Sequence, residues 1–141
     1  MKNVLITGSN RGIGFEAARQ FALKGYQVIM SGRDIEKGMK SQQVLKEEGL
    51  DIDFIQLDVS STENIKRVIS KIKDKYGKLD ILVNNAAIMI NQNQSVFHVN
   101  KSDISRTFET NVFGPMMLIR EVLPLMETNN YGRIINISSE M

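Results

Sequence analysis

Glycines at positions 8, 12 and 14, directly behind the short apolar run Val4 to Thr7, are the residues of this chain best suited to meet a phosphate. Gly8 allows a tight turn out of a strand, Gly12 allows close backbone approach to an anion, and Gly14 lets the next helix pack against the sheet. Ser9, Asn10, Arg11 and Ile13 fill the turn, whose unpaired N–H groups and helix N-terminus suit a nucleotide pyrophosphate. The spacing is Gly-x3-Gly-x-Gly rather than the Gly-x-Gly-x2-Gly of the commonest dinucleotide fingerprint, which points to a particular branch of nucleotide-binding folds. A strand, turn and helix with no ligand would show the same glycines, so the rest of the chain has to decide.

Such a turn needs a scaffold that sets a strand end against a helix start. Five apolar runs of strand length recur, at Asn3 to Thr7, Gln27 to Ser31, Asp53 to Leu57, Leu79 to Val83 and Arg133 to Ser138. Amphipathic segments lie between them: Ile13, Ala17, Phe21 and Ala22 share one helical face, as do Ile65, Val68, Ile69, Ile72 and Tyr76. Gly25, Gly49 and Gly77 follow helical stretches where a left-handed cap is favoured. This alternation predicts an α/β fold, a Rossmann-like doubly wound parallel sheet of strand order 3-2-1-4-5, as one domain over residues 1–141. A ligand would sit beyond the strand C-terminal ends, at the switch point between strands 1 and 4.

Composition narrows the function classes. Lys and Arg number 18 against 16 Asp and Glu, scattered along the chain, so neither nucleic acid nor an anionic membrane surface is an expected partner. Cysteine is absent, which excludes a disulfide framework, a thiolate nucleophile and a cysteine metal site. No apolar run approaches the ~20 residues of a membrane helix, and the first strand begins at once. A soluble cytoplasmic protein is the expectation. The single histidine, His98, sits among Asn and Gln and reads as a surface residue.

The strand ends carry the recognisable segments: the glycine turn, Gly32-Arg33-Asp34, Asp58-Val59, Asn84-Asn85-Ala86-Ala87, and Ser138-Ser139. With Thr7 ahead of the glycines, this set resembles the short-chain dehydrogenase/reductase family over essentially the whole chain. Ser31-Gly32-Arg33-Asp34 and Leu57-Asp58-Val59 are closest to its carbonyl-reductase-like branch. The resemblance implies that Asp58 accepts a bond from the adenine amino group, that Val59 donates its N–H to the ring, and that Asn85, Ala86 and Ala87 line the ribose. The family pattern has glycine where Ala87 stands, so the backbone there is less free.

Strand 2 ends without a carboxylate at the ribose position, and Arg33 follows instead. A guanidinium grips a 2′-phosphate by charge-assisted bonds, with Arg11 as a second cation and Ser31 as a hydroxyl donor. NADPH is therefore expected over NADH. The plainer alternative makes Arg33 a solvated loop cation, with Asp34 pairing with it or capping the next helix.

The resemblance further implies that Ser139 hydrogen-bonds a substrate oxygen, with Ser138 as the alternative, and that Asn111 holds a water in a proton path. Such a donor stabilises charge developing on oxygen. Capping for the serine and surface exposure for the asparagine are the plainer roles. Pro115 has no N–H for the Asn111 carbonyl, so a kink near Gly114-Pro115 is expected to open that oxygen to an ordered water.

The family's Tyr-x3-Lys pair is missing. Tyr26, Tyr76 and Tyr131 are followed four residues later by Met30, Asp80 and Ile135. The chain therefore reads as the N-terminal portion of an oxidoreductase acting on a small carbonyl or alcohol substrate, truncated after strand 5. A noncatalytic NADP-binding module or regulatory remnant is the alternative. Strand 5 is expected as an exposed edge. A long helix from Lys101 to Met126, with Phe108, Val112, Met116, Ile119 and Leu123 outward, is expected to support a homo-oligomer.

Overall fold

Successive residues of the first strand face opposite helical layers, and this alternation organises the molecule. The computed structural model describes residues 1–90 and 95–139. In β1 (Asn3–Ile6), Val4 and Ile6 join Ala18, Val28, Met30 and Leu45 beneath α1 (Gly12–Leu23) and α2 (Ile35–Glu47). Leu5 turns the other way, to Ile29, Leu82, Leu118 and Val122 beneath α3 (Thr62–Tyr76) and α5 (Gly114–Thr128). Full burial of such side chains contributes about 1.5–3 kcal/mol each.

The sheet is completed by β2 (Gln27–Gly32), β3 (Ile52–Gln56), β4 (Ile81–Asn84) and β5 (Arg133–Asn136). All four pairings are parallel and the order is β3-β2-β1-β4-β5, as the sequence predicts. The reversal falls between β1 and β4. Several strands differ from their predicted limits by a residue or two: Thr7, Leu79 and Ser138 lie outside the ladders, where the backbone turns toward loops. Gly25, Gly49 and Gly77 all take positive φ behind their helices. Asp34 caps α2 by accepting from the Lys37 N–H at 3.0 Å, and Ser61 caps α3.

The expected long helix is interrupted. α4 (Lys101–Phe108) passes into a π turn over Glu109–Phe113, where the Gly114 N–H reaches back five residues to the Glu109 carbonyl, and α5 follows. Pro115 sits in the first turn of α5. Without an N–H it can serve neither Asn111, four residues back, nor Thr110, five back, and the chain takes a π turn just before the proline. Phe108, Val112, Met116 and Leu123 are exposed along this helix pair, while Ile119 packs against the core instead of facing outward. β5 is the sheet edge, with Ile135 exposed. Among the described residues, no helix is long and apolar enough to cross a membrane.

At the opposite edge, Tyr76 donates its hydroxyl to Asp53 of β3, which also holds Lys75 at 2.9 Å. Burial, and then the bond to the Asp53 carboxylate, push the phenol of Tyr76 up to about 12. Burial also pulls Asp53 upward, but hydrogen bonds from Tyr76 and Lys75 outweigh it and leave the carboxyl below its ordinary value. A phenol whose pKa is raised by folding stabilises the folded state fully below its unfolded value near 10, and loses that contribution as pH climbs through the folded value. Tyr76→Phe should therefore be less stable than the parent at pH 8, with a narrower gap at pH 11, as read from urea-unfolding midpoints. An unchanged gap would remove the coupling.

Candidate functional site

Where β1 and β4 diverge, Thr7 joins the two exits. Its hydroxyl oxygen accepts from the Asn85 N–H at 3.0 Å and from the Ala86 N–H at 2.9 Å. The Asn85 side-chain amide donates in turn to the carbonyls of Thr7 at 3.1 Å and Gly8 at 2.9 Å. Asn85 is therefore committed to the glycine turn through its side chain, while still lining the cavity described below. Gly8, at φ +59°, is held so close to the β4 exit that a Cβ would lie 2.8 Å from the Cα of Ala86. At Gly14 a Cβ would meet the Asn85 amide nitrogen at 2.5 Å and the Gly8 carbonyl at 2.6 Å. Gly12 differs from both, since at φ +61° nothing stands within 4 Å of an added Cβ. Gly12 lines a cavity.

That cavity, of about 400 Å³, lies over the C-terminal ends of the strands at the sheet reversal. It is lined by Gly8, Asn10, Arg11, Gly12, Arg33, Val59, Asn85, Ala86 and Ala87 among the residues singled out from sequence. Leu57, Gly32, Asp34, Lys37, Ile88 and Thr110 line it as well. Arg11, Arg33 and Lys37 put three cations in its lining. The first turn of α1 has no acidic residue, and its N-cap, Arg11, supplies no side-chain cap. These N–H groups and cations suit an anionic ligand.

Other sequence-predicted residues stand elsewhere. Ser9 and Ser31 are fully buried and bonded to each other: the Ser31 N–H donates to the Ser9 hydroxyl at 2.9 Å, and the Ser9 N–H to the Ser31 carbonyl at 3.0 Å. Both hydroxyls also donate to the Ile6 carbonyl, so Ser31 offers no hydroxyl to a 2′-phosphate. This seam joins the ends of β1 and β2. Ile13 projects from α1 into solvent, and Gly14 is packed beneath the turn. Asp58 accepts from the Ser60 N–H and hydroxyl at 3.0 and 2.6 Å, while Asn64 Oδ1 takes the Asp58 N–H at 2.6 Å. Its neighbours Leu57 and Val59 line the cavity; Asp58 does not.

Asn111 lies within the π turn, and its amide clamps Ile88 in both directions, each bond 2.8 Å long. The side chain therefore positions the loop after β4. Ser138 and Ser139 follow β5 outside the sheet and are exposed, and neither lines the cavity. Ala87 adopts no positive φ; among the described non-glycine residues that is confined to Asn130. Lys37 was not singled out from sequence, although its place three residues after the cap Asp34 puts it in the first turn of a helix that starts at the site.

Fold and cavity together define a Rossmann-like α/β domain. The model of the short chain dehydrogenase family matches residues 2–141, and the chain belongs to that family. It is 38% identical over 137 residues to carbonyl reductase [NADPH] 1 of Mus musculus, an alignment covering 96% of this chain and 48% of that protein. A metagenomic short-chain oxidoreductase solved in complex with NADP superposes with a TM-score of 0.92 at 27% identity, covering 99% of this chain and 63% of the other. An actinorhodin polyketide ketoreductase solved with NADPH gives a TM-score of 0.91 at 30% identity, with 98% and 53% covered. The chain spans about half the length of the curated relatives it matches.

The Thr7 junction supports a direct test. Thr7→Val keeps the shape but leaves the N–H groups of Asn85 and Ala86 without their acceptor, a loss of about 1–3 kcal/mol. Thr7→Ser keeps the hydroxyl and should lose much less. Urea unfolding of the three proteins checks this, and equal stability of the valine and serine variants would contradict it.

Proposed function

We propose that this chain is the cofactor-holding portion of an NADPH-dependent oxidoreductase acting on a ketone, aldehyde or alcohol. The observation that carries the reading is that Arg11, Arg33 and Lys37 all line the cavity, with Arg33 directly following β2. Asp34, the one acidic residue in the cavity lining among the described residues, accepts the Lys37 N–H as the cap of α2. The open face of Gly12 and the uncapped start of α1 suit the pyrophosphate. Bound NADPH would supply a hydride for the carbonyl carbon.

The chain's own residues hold and orient. Arg33 and Lys37 meet the 2′-phosphate with Arg11, Val59 faces the adenine, and Ala86 with Ala87 borders the ribose. Asp58 is assigned to the adenine amino group, through carboxylate capacity left beside its bonds to Ser60. Asn111 fixes Ile88, and with it the loop that passes the nicotinamide side. Ser139, or Ser138, is assigned to the substrate oxygen. The exposed apolar face of α4 and α5 is assigned to self-association.

A second reading, nucleotide binding without turnover by these residues, is favoured by one observation: Ser139 is exposed and away from the cavity lining. Consumption of NADPH with a panel of ketones and aldehydes separates the two. Turnover supports the oxidoreductase, and tight NADPH binding without it supports the module.

Charge-assisted hydrogen bonds contribute about 1.5–3 kcal/mol, or roughly 10- to 150-fold in affinity. Calorimetric titration should show NADPH bound at least about tenfold more tightly than NADH. Arg33→Ala and Lys37→Ala should each weaken NADPH by roughly tenfold or more and leave NADH within about twofold. Equal losses for both nucleotides, or a parent that prefers NADH, would reject the NADP assignment.

A further inference from the structure

A helical serine ordinarily turns its hydroxyl onto the carbonyl four residues earlier. Ser41, in the middle of α2, instead donates to the carbonyl of Asn10 at 2.5 Å, across 31 residues of chain, and so ties α2 to the centre of the glycine turn. From this bond we infer that Ser41 is a positioning residue for cofactor discrimination, which sets Arg11 against Lys37. The inference rests on the NADP reading given above.

Both cations line the cavity, yet they belong to different elements. Lys37 lies in the first turn of α2, one helical turn before Ser41 and on the same stripe of the helix. Arg11 immediately follows Asn10 in extended backbone, at φ −158° and ψ 169°, ahead of the positive-φ Gly12. The rest of the turn is anchored toward the sheet: Gly8 by Asn85, and Ser9 by Ser31 and Ile6. Next to these anchors, the bond from Ser41 to the Asn10 carbonyl ties the Asn10–Arg11 segment to the helix that carries Lys37. α2 is itself seated firmly, because at Gly38 a Cβ would stand 2.0 Å from the Phe54 ring. One neutral hydroxyl therefore sets the spacing of two charges. A 2′-phosphate reads that spacing, and a ribose hydroxyl does not.

Equilibrium titration of the full chain with 2′,5′-ADP and with 5′-ADP tests this without any need for turnover. The parent should prefer 2′,5′-ADP. Ser41→Ala should weaken 2′,5′-ADP by about three- to tenfold, the loss of one hydrogen bond, and shift 5′-ADP by less than about twofold. Ser41→Thr, which keeps the hydroxyl, should restore the preference. Ser41→Cys, close in size with a weak donor, gives the same comparison if the alanine variant melts early in a thermal scan. A parent preference that survives Ser41→Ala, or that falls equally for both ligands, overturns the positioning role alone. A parent with no preference overturns the NADP reading, and this inference with it.

Discussion

Parallel strands that end at a site leave backbone donors and acceptors with no ladder to join, and the Thr7 junction is where this chain meets that constraint. One hydroxyl serves two N–H groups of the β4 exit, and one amide serves two carbonyls of the β1 exit. Four backbone groups are thereby satisfied without a ligand. The arrangement draws the two exits together until Gly8 and Ala86 touch, which is why position 8 excludes a side chain irrespective of any phosphate. Gly14 is constrained from the same side, by the Asn85 amide. Packing explains Gly8 and Gly14, and a positive φ in open space explains Gly12.

Polar side chains around the site divide by direction. Ser9, Ser31, Thr7 and Asn111 spend their hydrogen bonds on backbone and hold the walls in register, whereas Arg11, Arg33 and Lys37 bring charge to the lining. Buried neutral groups cost little once paired, while cations are cheap only where water or an anion reaches them. The walls can therefore be rigid and uncharged while the charges stay solvated until a ligand arrives.

Much of this was legible in the sequence. β-branched runs alternating with amphipathic segments dictate parallel strands between helices, and the turn-formers after each run mark the ends where a ligand sits. Directions of individual side chains were not legible. Ser9 and Ser31 lie 22 residues apart, and their mutual bond exists only because β1 and β2 are adjacent in the sheet. Asn111 is similar, since its partner Ile88 lies 23 residues away across a loop. Lys37 escaped notice because a lysine in the first turn of an exposed helix looks like any solvated cation until α2 is placed beside the glycine turn. Pro115 did announce a disturbance in the long helix, but proline chemistry alone does not choose between a kink and a π turn.

That choice follows from what the joint must touch. Gly114 lies so near the Asp58-Val59 loop that a Cβ there would sit 2.5 Å from the Val59 carbonyl. Three residues earlier, Asn111 grips both backbone groups of Ile88 on the opposite bank of the cavity. A regular α-helix advances about 100° per residue and would fix the angular relation of these two contacts. The extra residue of a π turn changes that relation locally, and the missing N–H of Pro115 weakens the α-helical competitor at the same place. Thr110, just before Asn111, lines the cavity. One irregular turn thus contacts both the loop after β3 and the loop after β4, each of which contributes to the cavity lining.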